Sequence, residues 1–240
     1  MRKRKKKTSV VPLLIFTWVL AVGLLLLYKK PEKEIHAKTL SLKTLPPTFK
    51  SYGIDVSHHQ DIIDWELFNQ DTDSLIKFVY CKATEGTHFL DPQWKSNRKQ
   101  LTALNITHGA YHFFNPKANP TTQAKYFLRN YTCKQSDLPP VLDAETEGNS
   151  TIELIKHMKT WLKYIEHATG KRPIIYTSYH FYNTKFKNAF EGYKFWIANY
   201  SNTPNRVKHK NIIHWQYSDC GQIPGIKNKV DLNFSKVDFD

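Results

Sequence analysis

Cysteine is scarce, with three residues in a chain of 240, and none of them falls in a C-x-x-C spacing. An odd, scattered set gives no thiolate cluster for zinc or an iron–sulfur centre. Cys81 lies in the apolar run Phe78-Val79-Tyr80 and reads as a small buried hydrophobe. A Cys133–Cys220 disulfide is permitted outside the cytoplasm, but the spacing does not establish one. Glycine is scarce too, at nine residues. No glycine-rich loop that could cradle a phosphate is present, and no G-x-S-x-G turn that would expose a nucleophilic serine. The commonest phosphoryl- and acyl-transfer designs are thereby excluded. Eleven histidines are present, yet no H-E-x-x-H helix. His58 and His59 are adjacent and so point apart, while His108 and His112 fall within a β-type run. Neither a metal nor another cofactor is expected.

Acidic residues are the minority charge, 21 against 35 Lys and Arg, which leaves a formal +14. Such a balance suggests a nucleic-acid partner until the charge is located. Residues 1–50 alone carry a net +10, and the rest of the chain only +4. No nucleic acid is expected.

The N-terminal charge flanks the one long uncharged run. Arg2 to Lys7 are all basic, residues 8–28 carry no charge, and Lys29-Lys30 follow. A span of about 20 such residues matches the hydrocarbon thickness of a bilayer. No small-x-small cleavage pair follows it closely, so an uncleaved anchor is favoured over a removed signal sequence. The heavier basic flank places 1–7 in the cytoplasm and the remainder outside, in a single-pass arrangement. Residues 29–50, polar and holding Pro31, Pro46 and Pro47, read as a linker. The folded domain is then 51–240, expected to be a monomer.

Within 51–240 short β-type runs alternate with helical stretches. Strands are predicted over 51–56, 76–82, 107–114, 139–145, 173–178, 194–200, 212–217 and 230–234. The clearest helix is predicted from 150 to about 169, with Ser150 and Glu153 in capping-box spacing and Ile152, Ile155, Leu162 and Ile165 on one face. Gly170 and Pro173 end it. Weaker helices are predicted over 92–104, 121–131 and 181–190. Alternation of this kind implies an α/β fold with a parallel sheet. A full eight-fold barrel takes about 250 residues. The expected architecture is therefore an irregular TIM-like barrel of about eight strands with fewer helices, missing mainly after the later strands, behind one N-terminal transmembrane helix.

Polar residues recur where these strands end. Asp143 and Glu145 close the run Pro139-Pro140-Val141-Leu142-Asp143-Ala144-Glu145. Residues i and i+2 of a strand share a face. Two neighbouring acids tend to split their pKa values, giving a proton donor beside an anion, as cleavage of a glycosidic bond requires. Asp55 and Asp231 would join them, since strand C-termini converge on one face of such a barrel. Either could instead accept backbone hydrogen bonds in a turn. Tyr111, Phe113, Tyr176, Trp196 and Tyr200 crowd the same ends. Their rings suit a sugar-binding cleft, or else fill the barrel core.

Seven short pieces in order then carry a resemblance. They are Asp55-Val56-Ser57 with Gln60, Lys82-Ala83-Thr84-Glu85-Gly86 with Asp91 and Trp94, Gly109 to Phe113, Asp143-Ala144-Glu145, Trp196-Ile197-Ala198, Trp215-Gln216-Tyr217 and Val230 to Asn233. Together they resemble the family 25 glycoside hydrolases, lysozymes that cleave bacterial peptidoglycan. The resemblance implies hydrolysis of the β-1,4 bond between N-acetylmuramic acid and N-acetylglucosamine. It implies Glu145 as general acid, Asp143 as nucleophile or stabiliser of a substrate-assisted intermediate, and Asp55 and Asp231 as a supporting pair. Gln216 is counted among the substrate-binding side chains, and Glu85 is read as structural. A tethered glycan-binding module without activity, or a hydrolase of another N-acetylhexosamine polymer such as chitin, are the alternatives. Asp61 and Cys81 depart from the usual pattern without touching the acids.

Overall fold

A computed structural model describes residues 42–72, 75–201 and 203–239. The expected membrane span at 8–28 lies outside these residues; among those described, no helix is long and apolar enough to cross a bilayer. Leu40–Asp240 form one compact unit.

Nine strands make a single sheet: β1 (Ser51–Val56), β2 (Ile76–Glu85), β3 (Phe89–Leu90), β4 (His108–Phe113), β5 (Val141–Asp143), β6 (Ile174–Ser178), β7 (Lys194–Ala198), β8 (Ile212–Gly221) and β9 (Val230–Ser235). Its order is β1-β9-β8-β7-β6-β5-β4-β2-β3, and pairing of β1 with β2 closes eight of them into a barrel. The ninth, β3, folds back on the end of β2 through a turn at Gly86, which takes the left-handed φ of +53°. Its two residues are too few for a sequence pattern to show.

The sheet is not wholly parallel, contrary to the expectation from alternation. β9 runs antiparallel to both β8 and β1. No helix separates it from β8, only the short connection 222–229, and so short a link cannot provide a crossover.

Among the described residues four regular helices cover the outside: α1 (Trp65–Asp71), α2 (Trp94–Ala103), α3 (Pro120–Asn130) and α4 (Thr151–Thr169). After β6 the chain makes only a short turn of helix, Tyr179–Phe181, running into a π-turn at Tyr182–Phe186, in place of the helix expected over 181–190. After β7 there is a single 3₁₀ turn, Pro204–Val207. The shortage of helices after the later strands is as expected. Helix α1 has no counterpart in the sequence reading, because it buries only Trp65 and Phe68 and two apolar positions make no periodic signal.

In α4 Ser150 caps the Glu153 N–H (3.2 Å), and Gly170 ends the helix at φ +68°. Its buried stripe differs from the expected one: Leu154, Met158, Trp161, Leu162 and Ile165 face the sheet, and Ile152 is 83% exposed. At 100° per residue Ile152 sits on the opposite side of the helix from the buried Trp161.

The core has two parts, as strand alternation requires. Phe78, Tyr80, Val141, Ile174, Tyr176 and Trp196 fill the barrel interior, while a larger cluster lies between sheet and helices. Gly53 allows this interior to close, since a Cβ there would stand 2.3 Å from the Phe78 ring. The described end of the expected linker belongs to the domain. Phe49 is buried, Leu42 and Leu45 pack on the core, and the Tyr52 hydroxyl donates to the Lys43 carbonyl (2.9 Å). Three apolar side chains spaced along a polar stretch are enough to dock it.

Candidate active site

At the C-terminal end of the parallel strands opens a cleft of about 250 Å³. All ten residues expected in the site line it: Asp55, Asp143, Glu145, Asp231, Tyr111, Phe113, Tyr176, Trp196, Tyr200 and Gln216. Asp231 reaches this face by a route other than the one expected. It stands near the start of β9, and the reversed direction of that strand brings its beginning to the end where the other strands finish. Asp231 is thereby the cross-strand partner of Asp55.

β5 ends at Asp143, so Glu145 lies just beyond the strand and is exposed at the cleft mouth. Ala144 between them is held from β6 on both sides. Its N–H donates to the Tyr176 carbonyl (2.9 Å), and its carbonyl accepts from the Thr177 hydroxyl (2.7 Å). This continuation of the ladder keeps both acids directed into one cleft. Lys185 of the π-turn pairs with Glu147 and pins the chain that follows.

Both carboxyls of this pair are pushed up, Asp143 further than its neighbour. Burial raises Asp143 well above the usual carboxylate range, the Glu145 charge adds to this, and Lys82 opposes it. Glu145, though exposed as a residue, lines the cleft, and the protein around it there also raises its carboxyl, against the hydrogen bond from Asp143. Desolvation is the larger cause for both, and the interaction between the two acids adds a separation on top of it, raising Asp143 and lowering Glu145. Oδ1 of Asp143 is buried without a hydrogen-bond partner.

Asp55 is buried and accepts at Oδ2 from Asn233 Nδ2 (2.7 Å) and Gln216 Nε2 (3.0 Å). Burial nevertheless lifts it to about 6. Asp231 is lifted further, to about 9, by burial and then by the neighbouring Asp55. The hydroxyls of Tyr176 and Tyr200 both donate to Gln216 Oε1 (2.8 Å each). Trp196 is fully buried against Tyr80 and Tyr176, so it belongs to the core beneath the cleft floor, whereas Tyr200 is half exposed and open to a ligand.

Lys82 received no role from the sequence, although it stands in the Lys82-Ala83-Thr84-Glu85-Gly86 piece. It lines the cleft, pairs with Glu85 (2.7 Å) and lies 4.9 Å from the Phe113 ring centre. Alternation along β2 from Phe78 and Tyr80 would have placed it inside the barrel. Ser57 and His59 line the cleft as well. The spacing of Ser57 and Gln60 now has a physical reason. Ser57 Oγ accepts from the His59 N–H (3.2 Å), the Ser57 N–H donates to Gln60 Oε1 (2.9 Å), and Gln60 Nε2 reaches the Lys229 carbonyl (2.8 Å). A capping box thus fixes the loop that leaves Asp55. All three cysteines are free thiols, and burial pushes the Cys81 thiol up, as befits an inert packing residue.

Residues 54–226 match Glycosyl hydrolases family 25. The chain belongs to that family. It is 38% identical over 192 residues to YegX, an uncharacterized protein of Escherichia coli (strain K12), across 79% of this chain and 71% of YegX. It is 33% identical to Lysozyme M1 of Streptomyces globisporus over 202 residues, 75% of this chain and 66% of that one. A family 25 glycosyl hydrolase from Bacillus anthracis has the same fold, with a TM-score of 0.73 at 27% identity over 81% of this chain and 93% of that one. The chain is thus a lysozyme-type glycoside hydrolase, and the cleft with its four carboxylates is its candidate active site.

Proposed function

We propose that this hydrolase is an N-acetylmuramidase, cutting the β-1,4 bond between N-acetylmuramic acid and N-acetylglucosamine in peptidoglycan. Glu145 is the general acid: it stands at the cleft mouth, where burial raises its pKa in the direction a proton donor needs. Asp143 faces the sugar's anomeric side. The observation that carries its role is the buried, unpartnered Oδ1. An acetamido N–H of the substrate would satisfy that oxygen, and the positive charge that develops as the bond breaks would favour the ionised form, which Lys82 already supports. This reading favours retention with participation of the substrate's own N-acetyl group. Asp55 and Asp231 complete the acidic wall, and Tyr111, Phe113, Tyr176 and Tyr200 supply ring surface for the glycan. Trp196 supports them from beneath, and Gln216 orients the Tyr176 and Tyr200 hydroxyls. The uncharged run at 8–28 would tether the enzyme to the cytoplasmic membrane with this domain outside.

The test is digestion of purified peptidoglycan by the full-length chain and by Glu145→Gln, followed by borohydride reduction and mass spectrometry of the new ends. Reduced muramic acid ends are expected from the wild type, diminished about 10²–10⁴-fold in the variant. Reduced glucosamine ends would reassign the bond, and wall binding without release would leave a glycan-binding module. The anomeric configuration of the first product tests retention; an inverted product would remove substrate assistance.

A further inference from the structure

The hydrogen bonds around Asp55 have a direction that one residue fixes. An indole N–H can only donate. Trp196 Nε1 lies 2.8 Å from the side-chain oxygen of Asn233, both buried in the barrel. That oxygen must therefore be the acceptor, and the Asn233 amide nitrogen is turned towards Asp55 Oδ2, 2.7 Å away. The Gln216 amide follows. With Oδ2 ionised, a Gln216 oxygen facing it would place two acceptors in contact. The Gln216 nitrogen faces it instead (3.0 Å), which leaves the Gln216 oxygen to the Tyr176 and Tyr200 hydroxyls. Two N–H donors thus face Asp55 Oδ2, an arrangement that favours its ionised form.

Asp231 is placed differently. It faces Asp55 across the β1–β9 pairing, and no amide among the described residues donates to its carboxyl. Hydrogen bonds to a carboxylate stabilise its ionised form, so unequal donors make unequal acids of two facing carboxyls.

We infer that Asp55 and Asp231 share one proton at neutral pH, that Asp231 holds it as a neutral O–H directed at Asp55 Oδ1, and that Trp196 makes this choice through Asn233. Trp196 and Asn233 are on this account positioning residues for a proton. The pair then presents one negative charge to the cleft in place of two. The raised values of Asp55 and Asp231 run in the same order. The other charges facing the pair are the carboxyls of Asp143, Glu145 and Asp219 and the ammonium of Lys82. The phenols of Tyr111, Tyr176 and Tyr200 also face it, held neutral by burial, and His59 lines the same cleft. None of these donates to Asp55 Oδ2, so none can replace the lock that begins at Trp196.

The test is a pH titration of the full-length chain carrying carboxyl-¹³C aspartate, followed by NMR, with signals assigned through Asp55→Asn and Asp231→Asn. At neutral pH the Asp231 carbon is expected at the protonated position and the Asp55 carbon at the ionised one. In Trp196→Phe the donor is gone, Asn233 is free to turn, and the Asp231 midpoint is expected to fall by about one unit towards that of Asp55. Asn233→Ala should produce the same fall and serves if Trp196→Phe does not fold. An ionised Asp231 at neutral pH in the wild type would overturn the inference, as would a proton on Asp55. Unmoved midpoints in folded variants would remove Trp196 and Asn233 from it. The titration needs no substrate, so its outcome is separate from that of the peptidoglycan digestion.

Discussion

The hydroxyl of Thr177 donates to the carbonyl of Ala144 over 2.7 Å, entirely inside the protein, and so holds the residue that separates Asp143 from Glu145. The two acids are connected through this bond to β6, a strand that contributes neither of them. Thr177→Val keeps the shape and removes the donor. The buried carbonyl left unpaired should cost about 1–3 kcal/mol, read from the urea midpoint. A loosened Ala144 should also lower kcat about tenfold with little change in KM, since small displacements of a catalytic pair act on the chemical step. A variant with normal kcat would show that the ladder from Tyr176 suffices.

Lys82 lines the cleft and lowers Asp143 against the pull of burial. Lys82→Met should let the Asp143 pKa rise. A reaction that needs Asp143 ionised then loses its activity at a higher pH on the acidic side. The pH profile of kcat/KM measures this directly, and an unmoved acidic limb would separate Lys82 from Asp143.

Asp231 makes the fold more sensitive to base. Its ordinary value of 3.8 in the unfolded chain rises to about 9 in the folded one. Between those values the folded state binds more protons than the unfolded state, so stability falls as pH rises through the window. Asp231→Asn removes that loss. Melting temperatures at pH 5 and pH 9 should therefore differ less in the variant than in the wild type; an equal or larger difference would contradict the raised value.

Gly53 precedes the catalytic-end residue Asp55 on the same face of β1, and the Phe78 ring occupies the space a Cβ would need. Gly53→Ala should destabilise the domain by about 1–3 kcal/mol through overpacking. Adding Phe78→Leu should recover part of this in the same denaturation experiment. No recovery would mean that the cost lies in the β1 backbone.

Much of this molecule is legible in order along the chain. Eight β-type runs, the capped helix ending at Gly170, and the acids and rings at strand ends come directly from residue type and spacing, because strand and helix periods act locally. Of the four apolar residues expected on one face of α4, Leu162 and Ile165 are buried and Ile155 packs on the core, while Ile152 faces solvent, because residue type alone does not tell which side the sheet occupies. Lys82 passed without a role because a lysine in an apolar run gives no sign of its partner until Glu85 and Phe113 are seen around it.

The sequence alone determined which side chains could do acid chemistry and that they fall at the ends of strands. Tertiary structure decided how they meet. The reversal of β9 sets Asp231 opposite Asp55, a register between residues far apart in the chain that no local pattern encodes. Enclosure of the cleft raises all four carboxyls together, because desolvation depends on everything that surrounds a group and not on its neighbours in sequence.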